Sequence, residues 1–210
     1  MKRWLETNTV PILWEILYII STIHFPQYSL YINTVFFIGI IIWFHNDFSF
    51  KALNEQWRSG IFFWKATICT IIGLIVGFVG SALVSVYVFN GVEDGMFKMP
   101  VHGWGDLLLF ACNTIFLPPL AQELFHRKNL INDSSKSILI LTSIISVLLY
   151  SVEHGIGWAG IVETVCLAIP FTISYVKTKN VYIVITAHFI LNLIGNLPDV
   201  IMGVNNMMKL

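Results

Sequence analysis

The chain has 210 residues, 56% of them hydrophobic and only 11% charged, with a mean hydropathy of +0.76. Twelve Lys+Arg against twelve Asp+Glu give no net charge, whereas a soluble domain carries about 25% charged residues. This excludes a soluble globular domain, a disordered tail and a nucleic-acid binder, and leaves an all-α polytopic membrane bundle forming a single membrane domain over 1–210.

A membrane helix needs roughly 20 apolar residues. On that basis spans are expected near 9–23, 28–45, 61–89, 104–120, 137–153, 158–176 and 181–197, about seven in all. Lys2 and Arg3 precede the first run, but no small-residue cleavage site follows, so a retained span is expected and not a signal peptide. Alternation from the N-terminus puts nine basic residues (Lys2, Arg3, Lys51, Arg58, Arg127, Lys128, Lys136, Lys177, Lys179) on one side and two (Lys98, Lys209) on the other. The positive-inside bias then predicts a cytoplasmic N-terminus in a multi-pass protein. Trp4, Trp43, Trp57, Trp64, Trp104 and Trp158 fall at span ends, where indoles are favoured. The longest connection runs from about 90 to 103, with Asn90-Gly91 and Pro100 as turn signals. Cys69, Cys112 and Cys166 all lie in apolar runs and read as small buried hydrophobes without a disulfide.

Ionisable groups inside spans cost about 2.5–3.5 kcal/mol each on insertion scales, which marks them as functional candidates. They gather in the C-terminal half. Glu123 and Arg127 are i,i+4, which on a helix lets the guanidinium hold the carboxylate. Tyr150 with His154, and His188 with Asn192, share the same spacing and so share helix faces. Taken singly, each has a plainer reading: a helix-end ion pair, an interhelical hydrogen bond, a loop histidine, an aromatic packing residue. Glu15 and Glu163 are expected to be interhelical hydrogen-bonders or cavity liners.

In order, Gln122-Glu123-x-x-x-Arg127, Tyr150-x-x-x-His154 and His188-x-x-x-Asn192 resemble the motif series of the CPBP family. These are the CAAX-protease and bacteriocin-processing membrane proteins, also called Abi proteins. Pro118-Pro119 and the Lys177-Thr-Lys-Asn180 turn are similar to that family's flanks. The resemblance covers about 104–197, with 1–103 as family-variable N-terminal helices. It implies an intramembrane glutamate- and histidine-dependent endopeptidase in the bacterial plasma membrane, opening towards the cytoplasm. The implied substrate is a peptide or protein, prenylated or bacteriocin-related. On the family mechanism the first glutamate of the pair, whose place Gln122 takes here, and His154 would activate water. His188 and Asn192 would stabilise the oxyanion, and Arg127 would orient Glu123. Glu123, His154, His188 and Asn192 make the expected catalytic set, supported by Gln122, Arg127 and Tyr150.

The chain departs from the family pattern at two positions. Tyr150 stands for phenylalanine and keeps the ring. Gln122 stands for the first glutamate, and a carboxamide cannot take a proton near neutral pH. Three outcomes stay open: Glu123 takes over, Glu153 or His154 serves alone, or catalysis is lost and a bacteriocin self-immunity or binding protein remains. A transporter would need paired ion sites or discontinuous repeats, and neither is present. Glu123, His154 and His188 offer a zinc-like donor set, but no His-Glu-x-x-His occurs, so no metal and no cofactor is expected. Straight helices place Glu123 and His188 roughly 12–17 Å from the turn at 132–135 and His154 nearer 27 Å. A break at Pro118-Pro119 is therefore expected.

Overall fold

In the computed structural model, residues 2–90, 99–155 and 157–209 are described, and all regular structure among them is helical. The helices are α1 (Lys2–His24), α2 (Ser29–Trp43), α3 (Phe50–Arg58), α4 (Ile61–Val88), α5 (Trp104–Asn129), α6 (Lys136–His154), α7 (Trp158–Thr178) and α8 (Val181–Met207). Six segments are long and apolar enough to cross a membrane: 26–43, which contains α2, and α4 to α8. The expected first span is helical, but with Thr7, Asn8 and Glu15 it stays below their hydropathy. Lys98 and part of the expected 90–103 connection lie outside the described residues.

Local chemistry starts the helices. Ser135 caps α6 by accepting from Ile138 N, and Asn180 Oδ1 caps α8 by accepting from Tyr182 N. Ser49 caps α3, a short polar helix that span-length reading misses. It docks at the start of α8, where Trp57 Nε1 donates to Thr186 Oγ1 and Asn180 Nδ2 to Gln56 Oε1.

The proline pair does not break α5. Pro118 and Pro119 have no N–H to give the Thr114 carbonyl, and in an uninterrupted helix this would leave an orphan acceptor in hydrocarbon. Two features accommodate them. The turn over Cys112–Phe116 widens to i→i+5 bonding, and Asn196 Nδ2 of α8 donates to Thr114 O at 3.4 Å. A second widened turn covers Glu123–Asn129, closed by Leu130 N donating to Phe125 O. The expected break is thus replaced by two wide turns in one continuous helix.

Two buried apolar clusters flank the centre. One joins α1, α2 and α5 through Tyr18, Phe36, Phe37, Ile40, Leu124 and Phe125, and the other joins α4, α6, α7 and α8 through Leu74, Tyr150, Ala168, Phe171, Val184 and Ala187. Polar bonds tie the helices: Asn113 Nδ2 donates to Leu30 O and Thr34 Oγ1, and the hydroxyls of Thr70 and Ser174 meet at 2.6 Å. Such bonds average about 0.6 kcal/mol in bilayers. α4 turns Ile68, Ile72, Val76 and Val79 outward, as a lipid-facing helix does. Cys69 lies on that exposed face, contrary to its reading as buried, and all three cysteines are free.

One end of the bundle gathers the basic connections. Lys128 Nζ pairs with Asp47 at 3.2 Å, Lys179 Nζ pairs with Asp133 at 3.0 Å, and Trp4 Nε1 donates to Leu130 O. The sorting of basic residues by alternation therefore matches one physical end of the molecule, to the extent that those residues are described.

Candidate active site

Between the two apolar clusters lies a buried polar core. Glu15, Gln122, Glu123, His126, Arg127, Glu153 and His188 are each less than 5% exposed. It divides into two groups, because adjacent residues 122 and 123 point about 100° apart around α5.

The first group is built on Glu123. Its Oε1 accepts from His188 Nδ1 at 2.8 Å, and its Oε2 lies 3.4 Å from Arg127 Nε, the pairing expected from i,i+4 spacing. Arg127 is fully buried, stacked 4.4 Å from the centre of the Tyr150 ring and 5.2 Å from that of Phe171. Phe171 in turn packs on the His188 ring at 4.6 Å. Glu123 is thus sealed by a guanidinium, an imidazole and two aromatic faces.

The second group is built on Gln122. Its Nε2 lies 2.5 Å from Glu153 Oε1 and 3.3 Å from His154 Nε2. His154 Nδ1 meets the Tyr150 carbonyl at 2.9 Å, and a carbonyl only accepts, so Nδ1 carries the proton and Nε2 presents its lone pair. The Gln122 amide therefore spends its two hydrogens on a carboxylate and an imidazole lone pair. Glu153 Oε2 accepts from His126 Nε2 at 2.8 Å, and Glu15 Oε1 lies 3.9 Å from the same nitrogen. Neither oxygen of Glu15 has a hydrogen-bond partner among the described residues. The His154 ring stacks on Tyr150 at 4.4 Å, which links the two groups through Arg127.

A hollow of about 110 Å³ adjoins the second group, with Gln122, Glu153 and His154 at one wall and Asn33, Asn113 and Met99 among the others. Met99 precedes α5, at the end of the bundle away from the basic loops. The cytoplasm-facing site implied by the resemblance and the positive-inside orientation therefore pull apart in this geometry.

Of the expected residues, the structure places Glu123 against His188, and His154 against Gln122, the neighbour of Glu123. Asn192 lies one turn beyond His188, half-buried, with no side-chain hydrogen bond among the described residues. Glu163 lines a separate hollow with Ser81 and Ser85 between α4 and α7. The reading by motif assigned no role to His126, whose pairing crosses from α5 to α6 and leaves no local pattern. Glu15, His126 and Glu153 each bring one metal-ligating atom within 4.8 Å of the others, a donor set different from the one weighed on sequence.

The fold and this core define a polytopic helical membrane protein with a buried glutamate–histidine centre. Residues 104–194 match the model of the type II CAAX prenyl endopeptidase Rce1-like family, in agreement with the resemblance carried by the motifs. The matched segment contains all three motifs, and the family is one of proteases. No curated protein and no solved structure matches the chain.

Proposed function

We propose that the chain is an intramembrane endopeptidase in the cell membrane, hydrolysing a peptide bond with its own side chains. The substrate class suggested by the family is a prenylated or bacteriocin-related peptide. The observation that carries the reading is that two proton acceptors, Glu153 and His154, line one hollow side by side, bridged by the Gln122 amide.

In this reading His154 Nε2 accepts a hydrogen bond from the attacking water, and its Nδ1 bond to the Tyr150 carbonyl fixes the tautomer. His188 and Asn192 face the oxyanion. His188 commits Nδ1 to Glu123, so it donates from Nε2 only when it carries both protons, and the Glu123 carboxylate supplies the opposing charge. Glu123 is then a positioning residue, itself positioned by Arg127. Exclusion of bulk water strengthens each of these contacts.

The test is cleavage of a quenched fluorescent farnesylated CAAX peptide by purified full-length protein in lipid vesicles. His154→Ala and His188→Ala should each lower the rate about 10²–10⁴-fold without loss of folded protein. The second reading, a bacteriocin self-immunity or binding protein, is favoured by Gln122 at the place of the family's first glutamate. Full immunity conferred by the His154→Ala, His188→Ala double variant in cells would establish that reading and remove the peptidase one.

A further inference from the structure

We infer that Glu153 is the carboxylate that activates water, so that the base missing from α5 at Gln122 is supplied across the helix interface by α6. The assignment rests on the peptidase reading and deepens it.

The carboxylate expected by motif fails on geometry. Glu123 has no exposed surface, and its oxygens face His188 and Arg127, away from the hollow. Glu153, by contrast, helps to line that hollow together with Gln122 and His154. Its carboxylate is held at both oxygens, by Gln122 on Oε1 and by His126 on Oε2, which fixes its orientation while leaving further lone pairs on each oxygen. Ser146 Oγ donates to the His126 carbonyl at 2.6 Å, locking α5 and α6 at the level of the pair. The acid absent from α5 at Gln122 thus has a counterpart on α6, within a bonded Gln–Glu pair.

The Gln122 amide nitrogen fills the point between Glu153 Oε1 and His154 Nε2, so water does not sit there but beside it, in the hollow. The 3.3 Å contact to His154 is long for a hydrogen bond, and water competes for it readily. A water in the hollow then donates one O–H to His154 Nε2 and the other to a remaining lone pair of Glu153, and its own lone pairs are free to attack.

The step balances without any further reactant. Water gives one proton to the Glu153 carboxylate as its oxygen forms a bond to the scissile carbonyl carbon, and the C=O π pair moves onto oxygen. Collapse of that adduct breaks the C–N bond. The proton held by Glu153 passes to the departing amine, leaving a new carboxyl group and a free carboxylate base. His126 contacts none of the reacting atoms. It is a positioning residue acting through Glu153 Oε2.

The experiment uses full-length protein in vesicles and the farnesylated CAAX peptide, with melting temperature read in parallel. Glu153→Gln keeps an acceptor for Gln122 and should stay folded while cleavage falls at least 100-fold in kcat with KM little changed. The exchanged variant Gln122→Glu, Glu153→Gln returns an acid to the pair from the α5 side and should recover at least tenfold over Glu153→Gln alone. Wild-type cleavage that persists within threefold in Glu153→Gln overturns this assignment alone, as does an exchanged variant no better than Glu153→Gln. Absence of cleavage by the wild type overturns the peptidase reading and the assignment with it.

Discussion

The backbone N–H of Asn132 donates to the Thr142 hydroxyl across 2.9 Å, well along α6 from its first residue, Lys136. Leu130 and Ile131 are buried, so the chain leaving α5 does not turn at the bundle surface. It runs back alongside the first turns of α6 before capping that helix at Ser135. The offset slides α6 by about two turns, roughly 10 Å at 1.5 Å per residue, and brings His154 level with Gln122.

Thr142→Val should therefore do more than remove one bond. The Asn132 N–H loses its acceptor, which costs about 1–3 kcal/mol when the group stays buried. The register of α6 also loses a constraint. A lower melting temperature and a reduced kcat at unchanged KM are expected, and Thr142→Ser should recover both. Equal loss in Thr142→Ser would show that the methyl packing matters and the hydroxyl does not.

The apolar runs made the spans legible in the sequence, and the i,i+4 pairs made Glu123–Arg127 legible, because both are local. The 131–135 return is not local. Its consequence, His154 beside Gln122, defeats straight-helix arithmetic that starts both helices at the same depth. Asn196 hides the fate of Pro118-Pro119 for the same reason, since the donor that satisfies Thr114 lies 82 positions away. His126 and Glu153 share a bond between residues 27 apart, so a reading by helix face leaves them unconnected. α3 escaped because a nine-residue polar helix is too short to register as a span.

Arg127 tests the electrostatics of the sealed group. Arg127→Met leaves the buried Glu123 carboxylate without its guanidinium, a loss of about 3–5 kcal/mol for breaking a buried pair from one side. Adding Glu123→Gln should recover much of that stability, because a neutral amide still meets His188 without the cost of a buried charge. Denaturant or thermal unfolding of the two variants measures this. A double variant no more stable than Arg127→Met would show that Arg127 acts through its stacking on Tyr150 and Phe171.

Metal removal should leave cleavage unchanged. The Glu15, His126 and Glu153 donors lie close together, but His126 Nε2 and Glu153 Oε2 are 2.8 Å apart, a hydrogen-bond separation. Two ligands at about 2.0–2.1 Å on one tetrahedral zinc stand roughly 3.3 Å apart. Incubation with a chelator, followed by the peptide assay, checks this. Activity that disappears and returns with zinc would make the three residues a metal centre.

The hollow also predicts the side from which substrate enters. Asn33 Nδ2 of α2 donates to Met99 Sδ at 3.4 Å, so the connection just ahead of α5 forms one wall of the hollow. The Lys128–Asp47 and Lys179–Asp133 pairs mark the opposite end of the bundle. In a variant with Cys69, Cys112 and Cys166 replaced, Met99→Cys should react with a membrane-impermeant maleimide added from the side away from the basic loops. Asn33→Cys, 4% exposed in the native residue, should react more slowly. A cysteine placed at Lys179, at the basic end, should react only from the other side. On the positive-inside bias the basic loops are expected to face the cytoplasm, so entry beside Met99 is expected from the opposite face of the membrane. Peptide substrate should slow labelling at Met99→Cys and leave Lys179→Cys unaffected. Protection at Lys179→Cys instead would place the entrance at the basic end.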